Sequence, residues 1–116
     1  MRETIPVTRP YDAAWVLGFL GARALPGIER VEDTTWQRAT LISGKPALLR
    51  VDVRARSLEV ETPVPLDPPT RARLERLFDT RTDPRRIRRT LERDLRLRRV
   101  IALRPGLRVP GAWDPF

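Results

Sequence analysis

A run of sixteen residues, Pro10 to Leu25 (PYDAAWVLGFLGARAL), constrains everything else in this 116-residue chain. From Ala13 to Ala22 it holds no charge and no proline, so it is apolar almost all the way round. Asp12 precedes the run as an N-cap, its carboxylate placed to accept from the free N–H groups of a first helical turn. Pro26-Gly27 closes it, because proline cannot continue a helix and glycine tolerates a left-handed exit. At helical spacing Trp15, Phe19, Ala22 and Arg23 share one face, and Ala14, Gly18 and Gly21 form a flatter one. Each interior glycine costs about 1 kcal/mol relative to alanine. Two of them therefore predict close backbone approach, most simply to a sheet. The run is far short of the roughly 20 residues that span a bilayer. It predicts a buried central helix over 11–25 of a small domain.

The flanking segments supply the sheet. Residues 3–8 predict a short edge strand, since Pro6 has no N–H to give a central ladder, and 28–32 predict another. Thr35–Ile42, rich in Trp and β-branched residues, leads through Ser43-Gly44-Lys45-Pro46 into Ala47–Val53. There Ala47, Leu49, Val51 and Val53 alternate with Leu48, Arg50 and Asp52. Leu58 and Val60 then face in while Glu59 and Glu61 face out. Alternation with one wet face predicts an antiparallel sheet packed on helices.

Asp67-Pro68-Pro69 starts a second helix with Thr70, Leu74, Leu77 and Phe78 as its stripe. Thr82-Asp83-Pro84 starts a third, with Ile87, Leu91 and Leu95 on one side and Arg85, Arg86, Arg88, Arg89, Arg93 and Arg96 on the other. It is expected to fray before Val100–Leu103. The remainder, RPGLRVPGAWDPF, is too rich in Pro and Gly for a long helix. Trp113 and Phe116 are expected to lack packing partners, as at a cut between domains.

Charge divides along the chain. Residues 1–70 balance nine basic against nine acidic residues, whereas 71–116 carry fourteen arginines against six acids, the entire net charge of +8. Such a surplus attracts polyanions, nucleic acid first. Plain composition stays open beside it, because a GC-rich coding sequence raises arginine everywhere, and the face could equally be solvated with Arg88–Glu92 pairing at i, i+4. Histidine and cysteine are both absent. That removes disulfides, thiol nucleophiles, the commonest general base and the commonest metal ligands, so no metal or cofactor is expected. No phosphate-binding glycine loop is present, because Gly18 and Gly21 lie inside a helix. Glu59 and Glu61 sit at i, i+2 on a wet strand face. No catalytic residue is assigned, and no signal peptide or membrane segment is read.

PYDAAWVLGFLGARAL at 10–25, IERVEDTTWQRATL after it, RLFDTRTDP at 76–84 and RPGLRVPGAWDPF at 104–116 together resemble, in order and spacing, the N-terminal portion of the bacterial DNA-3-methyladenine glycosylase II family. That family belongs to the helix-hairpin-helix glycosylase superfamily. The resemblance implies an α+β domain, a curved antiparallel sheet of about five strands packed on helices like half of a TATA-binding-protein fold, with C-terminal helices. It implies a sheet core over 1–66, an Arg-rich helical part over 67–103, and a linker over 104–116 into a helix-hairpin-helix catalytic domain, supplied in cis or in trans. That region would hold DNA and the catalytic Asp, which Asp114 is not. Phe19 matches an aromatic lining the family's base cleft, and Arg23 would neighbour it, although ordinary core packing of Phe19 stays open. The resemblance further implies base excision repair in the cytoplasm, with DNA as partner and no membrane. Arg85, Arg86, Arg89, Arg93 and Arg96 would contact DNA or brace the missing domain. Two other readings remain: a stand-alone basic DNA-binding module, and an interaction domain docking through Trp113–Phe116.

Overall fold

The computed structural model describes residues 1–114. Five strands, β1 (Arg2–Pro6), β2 (Glu29–Glu32), β3 (Thr35–Ile42), β4 (Lys45–Val53) and β5 (Ser57–Glu61), form one antiparallel sheet in the order β1-β5-β4-β3-β2. Four helices accompany it: α1 (Ala13–Ala22), α2 (Pro68–Leu77), α3 (Pro84–Leu91) and α4 (Leu95–Leu103). The expected α+β architecture, an antiparallel sheet of about five strands accompanied by helices, is thus present. Pro6 lies on an edge strand opposite Ser57, where its missing N–H costs the ladder nothing.

The β3–β4 hairpin turns on Ser43 and Gly44, both at positive φ (51° and 77°), the geometry that matches strand twist. It shifts the start of β4 two residues earlier than the alternation suggests. Asp67 then locks this hairpin to α2. Its carboxylate caps the helix by accepting from Thr70 N–H (2.9 Å) and also accepts from Ser43 N–H (2.8 Å).

One sheet face is buried through Ile5, Trp36, Leu49, Val51, Val53, Leu58 and Val60. Trp36 sits at its centre, fully buried, edge-on to Phe78 with ring centroids 5.5 Å apart. The α2 stripe of Thr70, Leu74, Leu77 and Phe78 is buried as the spacing predicts. On the other sheet face Glu59 and Glu61 look out among Arg2, Arg50, Asp52 and Arg54.

Three expectations need correction. Trp113 is not without a partner: it is 5 % exposed and packs 5.8 Å from Trp36, because the segment after α4 returns across the helical side of the domain. Trp113 therefore cannot be an exposed docking end, and Phe116 lies outside the described residues. The third helix is not one fraying rod. It stops at Leu91, and Asp94 caps a new helix that runs through Leu103. Its intended apolar stripe is open, with Ile87 and Leu95 exposed. Finally, α1 ends at Ala22 and buries Val16, Leu17 and Leu20, a face distinct from both sets named by periodicity. Gly21 does approach the sheet, with Val31 3.5 Å from where its Cβ would stand, whereas nothing lies within 4 Å of Gly18.

Candidate functional site

The N-terminal end of α1 is clamped by residues from the far end of the chain. Asp12 caps the helix by accepting from Trp15 N–H (3.0 Å), and its other carboxylate oxygen pairs with Arg104 Nε at 2.9 Å. The Asp12 backbone N–H donates to the Gly106 carbonyl (2.8 Å). A Cβ on Gly106 would stand 2.7 Å from that same Asp12 nitrogen, so only glycine fits this crossing. Gly111 is fixed likewise, since a Cβ there would stand 2.8 Å from the Arg76 carbonyl oxygen.

Arg108 completes the clamp. Buried to 3 % exposure, it donates to the carbonyls of Thr8 and Asp79 and to that of Pro10 (3.1 Å), and its guanidinium stands 5.0 Å from the Tyr11 ring centroid. Burial pulls the Arg108 pKa below its ordinary value, opposed by nearby Asp79. The Tyr11 hydroxyl donates to the Phe78 carbonyl at 2.6 Å, tying the same corner to the end of α2. The Trp15 indole N–H donates to the Arg108 carbonyl at 3.1 Å. The PYD and RPGLR segments are thus two halves of one joint. Its sequence signal was the pair of motifs, but nothing in their spacing says that they touch.

Downstream of this joint, α1 presents its unburied side. Phe19 is half-buried, its ring packed in part against the core. Arg23, the C-cap residue, returns over it with the guanidinium 3.7 Å from the ring centroid and donates to the Phe19 carbonyl (3.4 Å). One turn earlier Arg104 lies 5.6 Å from the exposed Trp15 ring. Two aromatic–cation pairs therefore follow each other along one helix face. Beside them Ala14, Gly18, Gly21 and Ala22, with Val31 below, form a shallow apolar groove of about 580 Å³.

The structure brings Phe19 and Arg23 together. It sets Arg85, Arg86 and Arg89 on α3, Arg93 in the break, and Arg96 on α4, all exposed. A second charged feature went unread in the sequence: Arg38 and Glu29, side by side on the buried sheet face, form an ion pair at 11 % and 13 % side-chain exposure. Asp114 approaches Arg38 at 3.5 Å, and Trp113 lies under the same guanidinium at 5.3 Å. Among the described residues no group of three or more acidic residues could hold a metal ion, and no helix is long and apolar enough to cross a membrane.

A family model described as the AlkA N-terminal domain matches residues 3–114. The chain is 33% identical over 112 residues to DNA-3-methyladenine glycosylase 2 of Escherichia coli (strain K12), covering 92% of this chain and 38% of that protein. It is 33% identical over 113 residues to a protein of Mycobacterium tuberculosis (strain ATCC 25618 / H37Rv) named probable bifunctional transcriptional activator/DNA repair enzyme AlkA, covering 95% of this chain and 23% of that one. In fold it is similar to a 3-methyladenine DNA-glycosylase from Archaeoglobus fulgidus, with a TM-score of 0.68 and 19% identity, over 86% of this chain and 35% of that structure. The chain thus spans well under half the length of each.

Proposed function

We propose, from the premise that this chain belongs to the AlkA N-terminal domain family, that it is the non-catalytic N-terminal domain of an alkylbase DNA glycosylase working in base excision repair. In this reading the whole enzyme removes alkylated bases such as 3-methyladenine. A helix-hairpin-helix region, in cis or in trans, grips the DNA and supplies the Asp that drives hydrolysis of the N-glycosidic bond of a flipped base. In this reading Asp114, which approaches the Arg38 guanidinium at 3.5 Å, belongs to the run leading into that region and is not the catalytic Asp. The residues after Leu103 lead toward that region while bracing α1.

One observation carries the reading. Phe19 is only partly packed against the core and carries a cation on its ring. A purine alkylated at a ring nitrogen, such as 3-methyladenine still joined to its sugar, is cationic, and an aromatic face attracts such a base without a full opposite charge. Phe19 would form one wall of the base cleft. Arg23 would give up the ring face to the base, and the small-residue groove beside it would seat the catalytic region. The same reading places the protein in the cytoplasm with DNA as partner, and with neither membrane nor cofactor.

The test is release of free base from methylated DNA. This chain alone is expected to release none, because in this reading the Asp that drives hydrolysis belongs to the helix-hairpin-helix region. Turnover by the chain alone would overturn the assignment.

A further inference from the structure

We propose that α3 and α4 form an arm that binds the phosphate backbone of duplex DNA, independent of base identity and separate from the Phe19 face. Between Pro84 and Leu103 the chain carries eight arginines against two acidic residues, six of the eight net charges in the molecule. The acids at hand are already engaged. Asp83 caps α3 by accepting from Arg85 N–H (2.9 Å), and Asp94 caps α4 by accepting from Arg96 N–H (2.8 Å). Glu92 takes Arg88, and its carbonyl takes Arg98. Among the described residues this leaves Arg85, Arg86, Arg89, Arg93, Arg96 and Arg99 exposed with no carboxylate partner.

These arginines hold nothing in place within the domain. The only buried residue of α3 is Pro84, and α4 has none. Like charges three or four residues apart on one helix, as in Arg85/Arg89 on α3 and Arg96/Arg99 on α4, repel by about 0.2–0.5 kcal/mol per pair. A bound polyanion removes that cost. The two helices are about 12 and 14 Å long at 1.5 Å per residue. Duplex DNA presents one charge per about 1.7 Å of axis, so either helix can lie along several phosphates. Guanidinium forks suit phosphate oxygens better than ammonium groups do.

The chemistry around these charges selects the polyanion. From Asp79 to Ala112 there is no aromatic residue. Single-strand binders stack bases on aromatics, whereas a duplex backbone needs charge alone. A single strand is therefore disfavoured, and the exposed Ile87, Leu95, Leu97, Val100 and Leu103 make an anionic lipid surface the alternative that the test must separate.

The test is fluorescence anisotropy of this chain on an undamaged duplex oligonucleotide across a salt series. Binding is expected at low salt, with log K falling against log salt at a slope of about −4 to −5, or about −0.9 per phosphate neutralised. Replacing Arg89→Gln, Arg93→Gln and Arg96→Gln together should reduce that slope by about 2 to 3. Glutamine keeps the helix propensity of arginine, and circular dichroism checks the fold. A charge-matched triple on the sheet side, Arg2→Gln, Lys45→Gln and Arg50→Gln, should keep the slope of the parent. Equal losses from both triples would show bulk charge at work and overturn the proposal. So would absence of binding at low salt, or tighter arm-dependent binding to vesicles of anionic phospholipid than to the duplex.

Discussion

The guanidinium of Arg23 lies over the ring of Phe19, 3.7 Å from its centroid, although the two residues are only one helical turn apart and both could have reached water. The contact forms because α1 spends its Val16, Leu17 and Leu20 side on the sheet, leaving Phe19 half outside the core. A ring so placed has one face open to a cation, and Arg23 occupies it. The position of that ring is set from a distance, by the joint in which Asp12, Arg104, Gly106 and Arg108 fix the start of the helix.

Arg108 is the keystone of this joint. Arg108→Met is expected to cost about 3–5 kcal/mol in urea unfolding, because the carbonyls of Thr8, Pro10 and Asp79 lose a buried, charged donor. A cost below about 1 kcal/mol would mean that the joint is not formed in solution.

Gly18 faces open space, and nothing in the domain requires its lack of a side chain. Gly18→Ala should raise stability by about 0.5–1 kcal/mol, read as a higher urea midpoint at unchanged slope. Destabilisation would show that the α1 groove is filled within this chain.

Tyr11 is the chain's one tyrosine, so tyrosinate absorbance reports it alone. Burial pushes its phenol well above the ordinary value of 10.0, with Arg108 pulling less strongly the other way. A raised folded-state pKa gives stability that is complete below about pH 10 and lost as pH rises through the folded value. At about pH 11, where a free phenol is mostly ionised, the folded chain should show no tyrosinate. The signal should appear only together with unfolding. Reversible titration near 10 in the folded state would contradict the buried corner.

At the acid end Asp67 is held down to about 2 by the Thr70 hydroxyl and N–H and then by Ser43. Asp52 moves the same way, chiefly through the Thr34 hydroxyl. A depressed folded-state pKa gives stability that is complete above about pH 4 and lost as pH falls through the folded value. Thermal stability should fall between about pH 4 and 2, and Asp67→Asn should flatten part of that fall. An identical pH profile for the variant would rule out the carboxylate as the link between hairpin and helix.

What the sequence disclosed follows from the range of the interactions. Period-two alternation in Ala47–Val53 and the stripe Thr70, Leu74, Leu77, Phe78 are local patterns, and both describe the buried faces. Asp12 and Asp67 cap where their types and positions predict. Trp113 looked unpartnered because its neighbour, Trp36, is 77 positions away. Arg38 on a buried strand face reads as an irregularity until Glu29 is seen opposite it. The break at residues 92–94 was hidden because the Ile87, Leu91, Leu95 spacing continues through it, while Asp94 offers α4 a better start. The face shared by Phe19 and Arg23 was legible from helical spacing, but its exposure was not, since an all-round apolar helix has no marked outer side.

The central claim is that Phe19 forms a wall against a cationic base. It is tested most directly by joining this chain to the catalytic region of the Escherichia coli relative, in place of that protein's own N-terminal domain, and measuring single-turnover base release by the parent and by Phe19→Ala. A lost cation–π contact of about 0.5–2 kcal/mol predicts a drop of about 2- to 30-fold for the cationic base 3-methyladenine. Release of a neutral base should be unchanged. Equal rates for the two proteins on the cationic base, or an equal drop on both bases, would contradict it.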